Sequence, residues 1–348
     1  MVQPAAEEKS PAPAQQPPSR TGWLEGSNVD RPALAAGLMV FALMLLGLQD
    51  ALVKLTSDAV SLWQFQLIRS GINLIIVLLI ARLIWGSARL RPRSWAAVLL
   101  RSICLVTTMV LFFGGVPFLG LAEIAAGLYT YPLYIAVLSA LFLGERVGPR
   151  RIAAIVAGFV GTLLILKPGT DSFSAVTLMP IAAAVFYALT VMVTRKLCRE
   201  ESPVTLAYGV ALTFLTVGVL GTSVFSAPAT VTALGDLRNA WPYLLTGWRE
   251  VSLLVVAIIA TCSLLNVIAN VCLAKSYQSA ESSWLALFDY SYLIFATFWG
   301  FVFSGAIPDA LTFAGMALIA AGGIFVAWRE RVEQRDLAQR ANFHRSLR

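Results

Sequence analysis

The sequence is short of charge. Only 13% of its 348 residues are Asp, Glu, Lys or Arg, about half the ~25% of an ordinary soluble domain. It has one histidine, His344 near the C-terminal end, so a buried imidazole relay and a paired-histidine metal site are both excluded for this chain. Cysteine is scarce as well. Three of the four, Cys104, Cys262 and Cys272, lie in apolar runs, the fourth is Cys198, and none forms a CxxC pair. They read as free thiols rather than a zinc site or a disulfide framework. The HExxH and GxSxG signatures of hydrolases are missing, and so is the phosphate-binding loop of a nucleotide-driven pump. The ten-residue alternating segments of an outer-membrane barrel are missing too.

What is abundant is apolar surface. Hydrophobic residues make up 58% of the chain and the mean hydropathy is +0.76. Ten runs approach or exceed the ~20 residues that cross ~30 Å of hydrocarbon. They lie at about 33–54, 61–84, 95–113, 118–142, 149–167, 175–194, 203–224, 251–274, 281–304 and 308–328. The predicted fold is an all-α integral membrane protein with ten transmembrane helices. Residues 1–31 include the run "PAAEEKSPAPAQQPPSR" and read as a disordered cytoplasmic tail. Residues 329–348 read as a basic cytoplasmic tail.

The net charge of +7 is a membrane signature here and not a nucleic-acid footprint, because the basic residues sit in short loops between spans. Ten spans put Lys54, Lys167, Arg238 and Arg249 on one side, with Arg69 and Arg101 inside helices. The remaining twenty of the 26 basic residues fall on the side of the N-terminus. The positive-inside rule then predicts both termini in the cytoplasm. The longest outer segment, about 225–250, carries Trp241, Tyr243 and Trp248 and reads as an interfacial stretch.

The ten helices divide into two sets of five. "AEIAAGLYTYPLYIAVLSALFLGERV" begins at Ala122 and "AESSWLALFDYSYLIFATFWGFVFSG" at Ala280. The offset of 158 aligns Glu123 with Glu281, Tyr131 with Asp289, and Tyr134 with Tyr292. Glycine-bearing helices follow both, "IVAGFVGTLLIL" and "TFAGMALIAAGGIF". Five is odd, so the second set enters the membrane in the opposite sense. Inverted repeats of this kind build secondary transporters, with the substrate site near the midplane where the repeats meet. The expected units are a first repeat at 32–169 and a second at 174–328.

The stretch "GLAEIAAGLYTYPLYIAVLSALFLGERVGPRRIAAIVAGFVGTLLILKPG" resembles the end of an EamA domain of the drug/metabolite transporter superfamily. The resemblance rests on an Ala-Glu loop end, a proline-bearing fourth helix, the Leu-Gly-Glu-Arg turn and a glycine-bearing fifth helix closing on Lys-Pro-Gly. "FDYSYLIFATFWGFVFSGAIPD" is similar to the corresponding segment of a divergent second EamA domain, with Ser304-Gly305-Ala306 where Gly-Glu often stands. Riboflavin importers, amino-acid exporters and metallophore exporters share this pattern. The resemblance therefore implies a carrier of riboflavin-like or amino-acid-like cargo over roughly residues 33–328.

Charged groups inside a membrane cost at least ~2.5–3.5 kcal/mol at the centre and usually face the bundle interior. Arg69 lies about eight residues into the second helix, with Gln66 and Asn73 on its face. That stripe of amide, guanidinium and amide suits an anionic or polar group, or else Arg69 is a structural residue bonded to carbonyls or to Asp50. Asp50 has two available partners, Lys54 at i+4 and Arg69. Asp289 is expected about eight residues into the ninth helix, facing a polar cavity with Tyr292, and its repeat-mate Tyr131 is expected beside it. A carboxyl stripped of water there is the proton-coupling candidate; a plain interhelical hydrogen bond is the alternative. Glu123 and Glu281 are gate candidates or helix caps. Asn266 and Asn270 form one polar stripe, and Tyr187, Thr190 and Thr194 another.

The residues expected to bind substrate are Arg69, Gln66, Asn73, Tyr131, Asp289, Tyr292 and Asn266. No metal site and no cofactor is expected. The expected partners are a small-molecule substrate and the lipid bilayer, and no nucleic acid. The expected function is secondary transport of a small polar organic metabolite by alternating access, in the inner membrane. The competing readings are a non-transporting scaffold or receptor and a membrane-embedded enzyme.

Overall fold

The computed structural model describes residues 32–84, 92–143, 149–167, 175–198, 201, 203–279, 285, 288–322, 324–325, 328 and 332. The described residues are helical and contain no strand. The longer helices are α1 (Pro32–Thr56), α2 (Leu62–Ile84), α3 (Trp95–Gly114), α4 (Leu121–Leu128), α5 (Tyr131–Leu143), α6 (Pro149–Leu166), α7 (Leu178–Leu197) and α8 (Pro203–Ser226). Three short helices follow, α9 (Pro228–Leu234), α10 (Asp236–Ala240) and α11 (Pro242–Leu245). The chain continues with α12 (Leu253–Ser279), α13 (Ser291–Ser304) and α14 (Ala310–Gly322).

Six of these helices are long and apolar enough to cross a membrane: most of α1, α2, α3, α7, α8 and α12. Three shorter apolar stretches, Val156–Ile165, Ser291–Ser304 and Ala310–Gly322, accompany them. Large apolar side chains such as Leu141, Leu254, Ile294 and Ile307 stand on the outside, as lipid in place of water permits. The two terminal tails, with His344 and apart from Val332, lie outside the described residues.

Among the described residues, helices fall within the predicted stretches, with two changes of form. The span expected at 118–142 is two helices, α4 and α5, separated by Tyr129 and Thr130. Pro132 explains the interruption: its ring clashes with the carbonyl four residues back and it has no N–H to donate. That carbonyl belongs to Leu128, the last residue of α4. The ninth span is interrupted similarly: Phe288 and Asp289 are helical, Tyr290 is a turn, and α13 starts at Ser291.

In the packing, α1 lies against α12 and α13, and α3 against α7 and α8. Helix α2 lies against α8 and α12, α7 against α4 and α5, and α4 against α13. Helices α6 and α14 cross at glycine. A Cβ on Gly161 would stand 2.8 Å from the Gly315 carbonyl oxygen, and one on Gly315 would stand 2.6 Å from that of Gly161. One buried cluster gathers Met39, Leu43, Ala125, Tyr129, Leu293 and Ile319. A second gathers Val53, Phe65, Phe113, Ile124, Tyr243 and Ile259.

The 225–250 segment departs from the interfacial expectation. It folds back as α9–α11, and Tyr243 is 1% exposed in the core. Trp241 packs on Phe118 at 4.7 Å, and only Trp248 of the three aromatics is exposed. The start of α2 clamps the segment. Ser61 donates to the Gly247 carbonyl at 2.5 Å and the Trp63 indole to that of Leu244 at 2.6 Å. The Gln64 amide donates to the Arg249 carbonyl at 2.8 Å and accepts from its N–H at 3.1 Å. These bonds answer the need of buried backbone groups for partners, and they hold Tyr243 inside.

Candidate functional site

A cavity of about 470 Å³ opens between α2, α3, α8 and α12. The polar stripe predicted on α2 lines it: Gln66, Arg69 and Asn73, together with Ser70. Helix α12 contributes Asn266 and Asn270, and α3 contributes Arg101. The apolar wall comes largely from α8, including Leu206, Val210 and Phe214. The spacing explains the convergence, because residues three and four apart on a helix share a face.

Arg69 is 9% exposed. Its guanidinium lies 5.7 Å from the Phe65 ring centre and 5.6 Å from that of Phe113, an arrangement in which aromatic faces attract the cation. Asp50 is the carboxylate that faces it. Arg101 donates from Nε to the Thr194 hydroxyl at 2.8 Å. Three buried polar atoms on this wall have no partner within the protein: Gln66 Nε2, Asn73 Oδ1 and Arg101 Nη1. A desolvated donor or acceptor without a partner costs about 1–3 kcal/mol, so the wall is incomplete as it stands. Asn270 donates to the Asn266 carbonyl at 2.7 Å and to its side-chain oxygen at 3.3 Å.

Tyr131, Asp289 and Tyr292, the other three expected binding residues, lie off this cavity in a tyrosine-rich cluster between α4–α5 and α13. The Tyr131 hydroxyl donates to Asp289 Oδ2 at 2.7 Å. The Tyr129 hydroxyl bonds the same carboxyl. Tyr129 stacks on Tyr292, with centroids 5.1 Å apart and planes 10° from parallel, and meets Tyr290 edge-on at 5.7 Å. Tyr131 meets Tyr187 edge-on at 4.8 Å. Tyr292 donates to Asp50 Oδ2, and Gln49 donates to Asp50 Oδ1 at 3.0 Å. A polar belt thus runs from Asp50, beside Arg69, through Tyr292 and Tyr129 to Asp289.

Asp50 does not pair with Lys54. Lys54 instead donates to the Leu119 carbonyl, with Glu123 and Asp58 as its charged neighbours. The i+4 spacing permits the local pair, but Lys54 is drawn to the Leu119 carbonyl and the Asp50 oxygens accept from Tyr292 and Gln49 instead. Glu123 sits in the first turn of α4 and accepts from the Gly120 N–H at 3.3 Å, the geometry of a cap. Glu281 lies outside the described residues. Thr190 and Thr194 turn back on their own helix, donating to the Phe186 and Thr190 carbonyls at 2.9 and 2.6 Å. The four cysteines are free and buried.

Sequence reasoning missed two residues here. Arg101 was legible as a charge inside a span but was not assigned to the site. Tyr129 gave no signal beyond its place beside the proline-bearing turn.

Residues 33–167 match the EamA-like transporter family. The chain is 28% identical over 211 residues to a protein named riboflavin transporter from Rhizobium johnstonii. That match covers 60% of this chain and 62% of the relative, so it spans less than two thirds of the relative's length. It is 28% identical over 285 residues to the pseudopaline exporter CntI of Pseudomonas aeruginosa, covering 81% of this chain and 92% of that protein. A crystal structure at 20% identity superposes with a TM-score of 0.56, over 85% of this chain and 97% of that one, a likeness of fold. Helices apolar enough to span and these bacterial relatives fit a multi-pass protein of a bacterial inner membrane. The family match thus falls within the stretch expected as the first repeat and ends at residue 167.

Proposed function

We propose that the protein is a secondary carrier, not an enzyme, that moves a small polar organic metabolite by alternating access. The observation that carries this reading is the cavity between α2, α3, α8 and α12, whose buried amide and guanidinium groups lack partners within the protein. Pockets of ~300–1,000 Å³ with few convergent polar groups are typical small-molecule sites. Gln66, Arg69, Asn73 and Asn266 bind the substrate in this reading. Riboflavin-like cargo suits the name carried by one relative, and both riboflavin-like and amino-acid-like cargo suit the resemblance of the sequence.

Ten spans with both termini inside, arranged as inverted repeats at 32–169 and 174–328, supply the two gates. The packing supports this. Exchanging α1 with α7, α2 with α8, α3 with α12, α4–α5 with α13, and α6 with α14 turns α1–α12 into α7–α3. It turns α2–α12 into α8–α3 and α1–α13 into α7–α4 and α7–α5, and returns α2–α8, α4–α13 and α6–α14 to themselves. All of these contacts are present. Two halves related by this exchange can open to one side or the other by the same motion. Asp289 is the proton-coupling residue, loading and releasing a proton from within the tyrosine cluster, and Glu123 and Glu281 flank the gates.

The test is uptake and counterflow of a labelled metabolite panel in proteoliposomes, with and without an imposed pH gradient. Saturable counterflow of at least one compound is expected. Passive leak alone across the panel, at rates equal to protein-free vesicles, defeats the carrier reading.

A further inference from the structure

The cavity is electrostatically one-sided. Among the described residues, its lining includes two guanidinium groups, Arg69 and Arg101, and no carboxylate. Asp50 faces Arg69 from behind the wall, but both its oxygens are taken, one by Tyr292 and one by Gln49. The titratable neighbours of Arg101 are the Cys198 thiol and the Tyr187 phenol, neither of which is an anion in its ordinary state. Arg101 spends Nε on Thr194 and keeps Nη1 buried with no partner in the protein. Two cations and one spoken-for anion leave this space positive, in surroundings that screen charge far less than water does.

We infer that the cavity is built for an anionic group, a carboxylate or phosphate, held by the guanidinium groups of Arg69 and Arg101. Guanidinium presents paired N–H donors that match the two oxygens of such a group. Phe65 and Phe113, neighbouring rings 6.0 Å apart, both hold the Arg69 guanidinium, so its position is restricted before anything binds. Gln66, 3% exposed, offers a free donor and Asn73 a free acceptor, which together read the uncharged remainder of the molecule. That this molecule is cargo rests on the carrier reading above. Of the two cargo classes considered there, the amino-acid-like one brings the carboxylate.

The charge of the cavity can be read without knowing the cargo. Asn270 lines the cavity and is exposed, so Asn270→Cys places a thiol there. Three methanethiosulfonate reagents then label it in the purified full chain: a sulfonate, a trimethylammonium and a neutral methyl reagent. The parent chain, whose four cysteines are buried, sets the background. After correction for reactivity with a free thiol in solution, the sulfonate is expected to react about tenfold faster than the ammonium or more, the scale on which a charged cleft concentrates counter-ions. Arg69→Gln and Arg101→Gln, each in the Asn270→Cys chain, should each shrink that ratio. Should either variant misfold, added potassium chloride in the Asn270→Cys chain screens the preference instead and should reduce it. Equal rates, a faster ammonium reagent, or no labelling by any of the three overturns the inference. The vesicle assay stands apart. Transport with a flat labelling ratio defeats the anion site alone, and a strong sulfonate preference without transport defeats the carrier reading alone.

Discussion

The Tyr131 hydroxyl donates to the Asp289 carboxylate at 2.7 Å across 158 residues, and 158 is the offset that aligns the two halves of the sequence. Under the repeat reading the two residues are each other's counterparts. Counterparts touch only at the axis that exchanges them, so this bond marks the place where the halves meet. Both stand at interruptions: Tyr131 opens α5, and Asp289 lies two residues before α13. Discontinuous helices at a repeat interface are where secondary transporters place their substrate and coupling-ion sites.

Asp289→Asn keeps the shape of the side chain and its ability to accept from Tyr131, and removes titration. The variant is expected to fold and to exchange labelled substrate for unlabelled substrate at the parent rate. Accumulation driven by an imposed pH gradient should fall to the level of vesicles without a gradient. Parent-like accumulation in that assay removes Asp289 as the coupling residue.

Arg69→Lys keeps the charge and loses the planar fork beside Phe65 and Phe113. Losing a charge-assisted hydrogen bond costs about 1.5–3 kcal/mol, so substrate affinity should drop roughly tenfold or more at unchanged expression. Equilibrium binding on the purified chain checks this. Lower expression with unchanged affinity would assign Arg69 to structure alone.

The charge bias predicts that the C-terminus and the α9–α10 turn lie on opposite sides of the membrane. A reporter fused after Arg348 should behave as cytoplasmic, and one inserted at Gly235, whose φ of +45° and open surroundings mark an exposed turn, as external. Both reporters on one side would contradict the three spans predicted to follow Gly235.

Gly161→Val pushes a branched side chain into the carbonyl of Gly315, which a Cβ alone would meet at 2.8 Å. The obstacle is backbone, so α6 and α14 must separate. Overpacking of this kind costs about 1–3 kcal/mol. A lower melting temperature of the detergent-solubilised protein is expected, with Gly161→Ala in between.

Lys167 and Asp309 join the end of α6 to the start of α14 at 2.7 Å. Asp309 also caps α14, accepting from the Thr312 hydroxyl at 2.6 Å and its N–H at 3.2 Å. The Lys167 ammonium first, and the Thr312 hydroxyl second, pull the Asp309 carboxyl down from 3.8 to about 2. A carboxyl held down in the folded state stabilises it above the unfolded value and stops doing so as pH falls through the folded one. The contribution is therefore present above 3.8 and lost on the way down to about 2. Asp309 is half exposed, so the effect is small and salt-sensitive. Melting curves across that window should show the parent losing more stability than Asp309→Asn, and added salt should narrow the gap.

Much of this molecule is local in origin. The apolar runs mark the helices, because a backbone in lipid must satisfy its own hydrogen bonds. Pro132 predicts trouble for the helix around Leu128, because the clash is with a carbonyl one turn away. The i, i+3 and i+7 spacing of Gln66, Arg69 and Asn73 puts them on one face without reference to any neighbour. The 158-residue offset is likewise a property of the string of letters, and it pairs Tyr131 with Asp289 before any fold is known.

Helical periodicity says which side chains share a face and nothing about what that face meets. That limit explains the differences. Asp50 has Lys54 one turn away and yet takes Tyr292, 242 residues on, because only the fold brings that hydroxyl to it. Tyr243 sits among loop letters that read as interfacial, and bonds from Ser61, Trp63 and Gln64 draw it into the core. Arg101 becomes part of a site only because α3 lies beside α8 and α8 beside α2. The sequence alone determined that the chain is a helical membrane protein, where its helices run and which polar faces they carry. The tertiary structure decided which of those faces look into a common cavity, because partner choice between distant helices depends on packing geometry that no local spacing encodes.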